Sequence, residues 1–207
     1  MNNYSLNREA LIKYLKELAN LLKKNHSQRC ELVLVGGSSI LLNYTYRDST
    51  TDIDCYDVQG ILMNDLVNRI TNKYDLPVGW INTDFINTDS YTEKIAYYSS
   101  YYATYSNVLE IRTVKGQYLI AMKMKSAREY KHDLSDICGI INEMNKNNEH
   151  ITMDDIKKAI VDLYGSLDAI SSDMYDLVES VLSDPTIYEK MIEFENSHRI
   201  NIKQDNK

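Results

Sequence analysis

The sequence predicts an α/β fold of the α+β kind, and three observations carry that expectation. Short apolar runs bounded by turn residues recur through the first half, between segments whose leucines and isoleucines repeat at helical spacing. Helix and strand alternate there, which belongs to mixed architectures rather than to all-α or all-β ones. From about residue 118 the strand signals stop and amphipathic helical patterns take over. The expected organisation is a core over residues 1–117 and a C-terminal helical bundle over residues 118–207, packed on that core.

Ser5 has the chemistry of an N-cap for a first helix reaching about Lys24, with Leu11, Leu15, Leu18 and Leu22 on the face that would cover a sheet. Residues 29–35 follow as a strand, because Leu32, Val33, Leu34 and Val35 form a short apolar run that two glycines end. A short helix is expected over 40–44, an irregular segment over 46–51 and a second strand over 52–58. Residues 60–74 place Leu62, Leu66 and Ile70 on one helical face, until Leu76 and Pro77 break the pattern. Residues 78–81 read as a third strand carrying Trp80, the single tryptophan.

In the tyrosine-rich segment 91–105, Tyr97, Tyr101 and Tyr105 are four apart, as are Tyr98 and Tyr102. That spacing predicts one side of a helix, whose rings would pack in a core or stack on a base. Residues 108–114 form a further strand, with Leu109 and Ile111 on one face and Glu110 and Arg112 on the other. Helices are then expected over 118–137, from Thr152 to about Tyr164 behind a capping pattern of Thr152 with Asp155, near 172–182, and over 185–196, where Pro185 suits a first turn.

The chemistry concentrates between residues 33 and 54. Gly36 and Gly37 let the backbone turn sharply and approach a ligand. Ser38 and Ser39 add hydroxyls and N–H groups at a helix start, which is an anion site. Asp52-Ile53-Asp54 would, in a strand, point both carboxylates the same way, and two such groups repel unless a cation lies between them. A phosphate cradle followed by paired carboxylates indicates metal-assisted phosphoryl or nucleotidyl transfer. Such chemistry often needs a third acid, as ligand or as base for the attacking hydroxyl. Asp84 is the candidate, with Asp89 competing and Asp57 weaker. Lys123, on a mostly apolar helical face, calls for an anionic partner, either a phosphate or a buried carboxylate. Asp133 and Asp136 read as caps of a following helix or partners of Arg128.

The net charge of −7 argues against broad, sequence-independent binding to nucleic acid, while leaving room for RNA held by a local basic patch. No apolar run reaches the roughly 18 residues of a membrane span, and residues 1–11 lack a signal-peptide core. The three cysteines, Cys30, Cys55 and Cys138, are far apart and read as reduced thiols of a cytoplasmic protein. The four histidines show no metal-ligand spacing.

Gly36-Gly37-Ser38, then thirteen residues (39–51), then Asp52-Ile53-Asp54 resembles the signature of the DNA polymerase β-like nucleotidyltransferase superfamily. Trp80-Ile81-Asn82 and Ala121-Met122-Lys123, continuing to Asp133-Leu134-Ser135-Asp136-Ile137, narrow the likeness. With them the chain is similar to small bacterial nucleotidyltransferase-like proteins related to AbiEii-type toxins. The resemblance implies a mixed sheet flanked by helices and an enzyme that moves a nucleoside monophosphate from an NTP to an acceptor. It implies Mg²⁺ on Asp52 and Asp54, with Asp84 as third ligand or base. It further implies an NTP held by Gly36, Gly37, Ser38, Ser39, Arg47, Thr50 and Lys123, with Arg128, Asp133 and Asp136 in support. RNA, commonly tRNA, is the acceptor this kinship favours, in a toxin or phage-defence setting with an antitoxin-like protein partner. An antibiotic-modifying transferase, or a catalytically silent nucleotide- or partner-binding protein on the same fold, are the alternatives.

Overall fold

A computed structural model of the chain describes residues 4–60, 64–127, 133–184, 186–188, 190 and 193. The chain divides into two units, Met1–Thr88 with Glu93–Lys115, and Asp89–Thr92 with Gly116–Lys207.

In the first unit Leu6 and Thr50 exchange backbone hydrogen bonds, the Leu6 N–H donating to the Thr50 carbonyl at 2.7 Å and the Thr50 N–H returning at 2.9 Å. This antiparallel bridge keeps residue 6 extended. The first helix, α1 (Arg8–Lys24), therefore starts later than expected, and Asn7 rather than Ser5 is its cap, its side chain accepting from the Ala10 N–H at 2.8 Å. After it come β1 (Cys30–Leu34), α2 (Gly36–Asn43), β2 (Ile53–Asp57), α3 (Asn64–Tyr74), β3 (Ile81–Asn82), a 3₁₀ turn at Asp84–Asn87, α4 (Ile95–Tyr98), β4 (Ser100–Tyr105) and β5 (Leu109–Thr113).

The five strands make one mixed sheet in the order β3-β2-β1-β5-β4. β1 runs parallel to β5 and antiparallel to β2, while β3 is parallel to β2 and β4 antiparallel to β5. Strand parity then separates two faces. Cys30, Leu32, Leu34, Ile53, Cys55, Leu109 and Ile111 join Leu11, Leu15, Leu18 and Leu22 of α1, Leu66 and Ile70 of α3, and Trp80 in one buried core. Glu31, Val33, Asp54, Tyr56, Glu110 and Arg112 take the other face.

Three further expectations are corrected in this unit. α2 begins at Gly36, not at residue 40, because the glycines are its first turn rather than a loop before it. β3 is shorter and later than residues 78–81: Val78 is 97% exposed, and the Trp80 carbonyl accepts from the Ile53 N–H at 2.8 Å just ahead of the strand. The tyrosine segment is not one helix. α4 lasts four residues and Tyr101, Tyr102 and Tyr105 lie on β4. A turn over residues 105–108 decides this. Ser106 and Asn107 both have positive φ, 52° and 59°, and the Val108 N–H donates to the Tyr105 carbonyl at 3.1 Å. Two such residues make a type I′ turn, whose twist suits a hairpin, and the hairpin takes the tyrosines into strand.

The second unit is helical: α5 (Gly116–Ser126), α6 (Asp133–Lys146), α7 (Met153–Tyr164), a 3₁₀ turn at Leu167–Ala169, and α8 (Ser172–Ser183). α5 packs on α6 and α7, and α8 on the same two. Thr152 caps α7 in a reciprocal box with Asp155, and Gly165, at φ +83°, closes its far end. The stretch 118–137 covers most of α5 and the start of the following helix, α6, whose first turn carries Asp133 and Asp136. Arg128 and Pro185 lie outside the described residues, as does most of the helix expected over 185–196. Cys30, Cys55 and Cys138 are buried thiols that form no disulfide. Among the described residues no helix is long and apolar enough to cross a membrane.

Candidate nucleotide site

The chain leaves β1 through Val35 and enters Gly36 at φ +54°, a conformation that glycine adopts without a Cβ clash. The start of α2 is then tied to the beginning of β2. The Val35 N–H donates to the Asp54 carbonyl at 3.0 Å. The buried Ser38 hydroxyl donates to the Val35 carbonyl at 2.8 Å, with the Asp54 carbonyl 3.2 Å away. A Cβ on Gly36 would stand 3.8 Å from Asp54 Oδ2, so the helix start and the carboxylate are neighbours.

Gly37 is packed more tightly. A Cβ there would meet Thr50 Oγ1 at 2.6 Å and an Arg47 guanidinium nitrogen at 3.2 Å. Thr50 is buried and held by its bridge to Leu6. Arg47 is half-buried, with Nε donating to the Ser49 carbonyl at 3.0 Å. Gly36, Gly37, Ser38, Arg47, Thr50 and Asp54 are thus brought to one place. Asp52 sits on the bend just ahead of β2, half-buried, its Oδ1 accepting from the Thr51 hydroxyl at 3.3 Å. The positive end of α2 and the Arg47 guanidinium face anionic ligands well; Asp52 and Asp54 offer hard oxygen donors to a cation.

Ser39 is oriented differently. Fully buried, it donates its hydroxyl to the Val114 carbonyl. Asn43 Nδ2 donates to that same carbonyl at 3.1 Å and to the Ser39 carbonyl at 3.0 Å, while Thr113 Oγ1 donates to Asn43 Oδ1 at 3.1 Å. These bonds fasten α2 to the end of β5. Arg8 holds the other end of the helix, with Nε on the Leu41 carbonyl at 2.9 Å and a terminal nitrogen on the Tyr44 carbonyl at 3.1 Å. Sequence reasoning assigned no role to either residue. Asn43 carries a local signal, a lone amide four residues after Ser39 in an apolar helix. Arg8 carries none, because its partners lie more than thirty residues away.

Asp84 is exposed at the start of the 3₁₀ turn, its N–H donating to Asn82 Oδ1 at 2.9 Å. The parallel register sets Asn82, not an acid, opposite Asp54, with Asp84 two residues beyond. Among the described residues no three His, Cys, Asp or Glu side chains gather as a metal-holding group, so Asp84 does not complete a ready-made cage with Asp52 and Asp54. Of the competing acids, Asp57 falls on the core-facing side of β2 with Cys55, and Asp89 belongs to the second unit.

In the second unit Lys123, 6% exposed, places Nζ 2.7 Å from Asp133 Oδ1 and 2.7 Å from Asp136 Oδ2. Both carboxylates are buried in the first turn of α6. Burial pulls the ammonium pKa down, the two carboxylates push it up, and the carboxylates prevail, leaving it above the ordinary 10.5. Of the two anions the sequence allowed for Lys123, this structure shows the buried carboxylate.

No curated protein and no solved structure matches the chain. A family model does, over residues 9–175, a span that takes in every strand of the sheet, the glycine turn and its acids, and Lys123 with both partners; by that match the chain belongs to the family described as nucleotidyltransferase of unknown function (DUF6036).

Proposed function

We propose that the chain is a metal-dependent nucleotidyltransferase working at the junction of α2 and β2. The observation that carries the reading is the convergence of Arg47 and Thr50 on Gly37, beside Asp54. A turn without side chains, a helix N-terminus and a guanidinium suit a triphosphate. Asp52 and Asp54 suit Mg²⁺, which takes one or two carboxylates and completes its shell with water and substrate phosphate oxygens; a two-acid site fits that habit. Bound there, the metal would neutralise triphosphate charge as pyrophosphate leaves.

The chain's residues would hold the NTP so that an acceptor hydroxyl oxygen meets the α-phosphorus. A bond forms between them, the bond from the α-phosphorus to the bridging oxygen breaks, and pyrophosphate departs. Asp84 is the residue assigned to take the hydroxyl proton. Lys123 serves as an internal brace through Asp133 and Asp136. RNA as acceptor, and an antitoxin-like partner, rest on the sequence resemblance alone. That Asn82 rather than an acid stands opposite Asp54 supports a second reading, a nucleotide-binding protein without transfer activity.

Calorimetric titration of each NTP, with and without Mg²⁺, into wild type and Asp52→Ala/Asp54→Ala tests the site. Labelled NTP offered with an RNA pool and with an aminoglycoside panel tests transfer. Metal-dependent binding lost in the variant, together with label on an acceptor, supports the transferase. Binding without label on any acceptor supports the silent protein, and no binding to folded wild type removes the site.

A further inference from the structure

The sheet has two edges. β3, two residues long, offers little to pair with, whereas β4 spans six residues and, among the described residues, pairs only with β5. Natural edge strands of that length are usually guarded by charge, proline or a bulge. β4, SYYATY, has neither charge nor proline, and residues 95–109 as a whole carry no charged side chain, in a chain that is 26% charged. Its one guard is the irregular register between Tyr101 and Ala103, which leaves residues 103–105 in regular pairing. Beside the edge stand two of the most exposed aromatic rings, Tyr97 at 84% and Tyr101 at 60%. Tyr97 is braced edge-to-face on Tyr98, with ring centroids 5.0 Å apart.

Charge selects the occupant. Each copy carries −7, and the uncharged run 95–109 offers a second copy a surface without like-charge repulsion. An uncharged antiparallel edge is also self-complementary about a two-fold axis. Tyrosines of this kind bury about 150–250 Å² each. Two of them, with the strand itself, supply much of the roughly 800 Å² per partner that a stable dimer needs. We infer that β4 is the docking edge for a second copy of this chain, pairing antiparallel with its counterpart so that two sheets become one, with Tyr97 and Tyr101 sealing the seam.

Sedimentation across a concentration series tests this on wild type, Tyr101→Lys, Tyr97→Lys and Val78→Lys, the last at an exposed position away from β4. Wild type is expected to dimerise. Each tyrosine variant should weaken the dimer at least about tenfold, because like charges then meet across the axis, and Val78→Lys should leave it unchanged. Backbone amides of Ser100–Tyr105 should exchange more slowly as wild type is concentrated. Wild type that stays monomeric at roughly 100 μM, where a micromolar interface is saturated, would overturn the inference. So would a dimer indifferent to both tyrosine variants, or a monomer whose β4 captures a different protein. Circular dichroism of each variant separates lost pairing from lost folding; should Tyr101→Lys misfold, Tyr97→Lys carries the test.

Discussion

Gly37 and Thr50 leave no room for a methyl group between them, since a Cβ on Gly37 would stand 2.6 Å from Thr50 Oγ1. Gly37→Ala must therefore displace Thr50, Arg47 or the start of α2. Overpacking of this kind costs about 1–3 kcal/mol, and NTP affinity should fall with it. Adding Thr50→Ala removes the blocking oxygen and should recover part of the loss. Urea denaturation of the two single variants and the double one measures the coupling; purely additive losses would mean that the contact is not tight.

Asp52, Asp54 and Asp84 should separate kinetically. Asp52→Asn and Asp54→Asn are expected to abolish Mg²⁺-dependent NTP binding while leaving the melting temperature close to wild type, since neither side chain belongs to the apolar core. Asp84→Asn should keep binding and slow transfer by about 10²–10⁴-fold, the usual worth of a general base. Loss of binding in Asp84→Asn equal to that in Asp54→Asn would make it a ligand instead.

Lys123 sits between two buried carboxylates, and removing it leaves both without their shared cation. Lys123→Met should destabilise the protein by about 3–5 kcal/mol, and Lys123→Met/Asp133→Asn/Asp136→Asn should recover most of that. The pH dependence has a definite sign. The folded pKa lies above the ordinary 10.5, so the stabilisation is complete below that value and is lost as pH rises through the folded pKa. Chemical denaturation of wild type and Lys123→Met should give a constant difference from neutral pH to about 10, shrinking above.

Thr152 and Asp155 close the N-terminus of α7 reciprocally. Thr152→Ala should cost about 1 kcal/mol. The Thr152 hydroxyl, then its backbone N–H, hold the Asp155 carboxyl below its ordinary 3.8. The cap is thus intact above that pH and lost as pH falls through the lowered value. Thermal melts of both proteins at neutral pH and near pH 3 should show the difference narrowing in acid.

Much of the fold was legible because its signals are local. The leucine spacing of α1, the apolar run of β1, the alternation of β5 and the Thr152–Asp155 box each lie within a few residues. The tyrosine segment misled because four-residue spacing also occurs by chance along a strand. The informative residues, Ser106 and Asn107, lay beyond the segment being read. At the site, the glycine turn and the Asp-Ile-Asp run are visible in the sequence. The burial of the Ser39 hydroxyl under Val114 is not, because the acceptor lies 75 positions away.

The sequence by itself determined which segments can bury one face, where the chain must turn, and which carboxylates, hydroxyls and cations are available for chemistry. Tertiary structure alone decided that Asn82 stands beside Asp54, that Arg47 and Thr50 close on Gly37, that Lys123 lies between Asp133 and Asp136, and that β4 takes the sheet edge. The division has a physical cause. Periodicity and turn chemistry act over a few bonds, whereas sheet register and helix packing set which distant side chains meet.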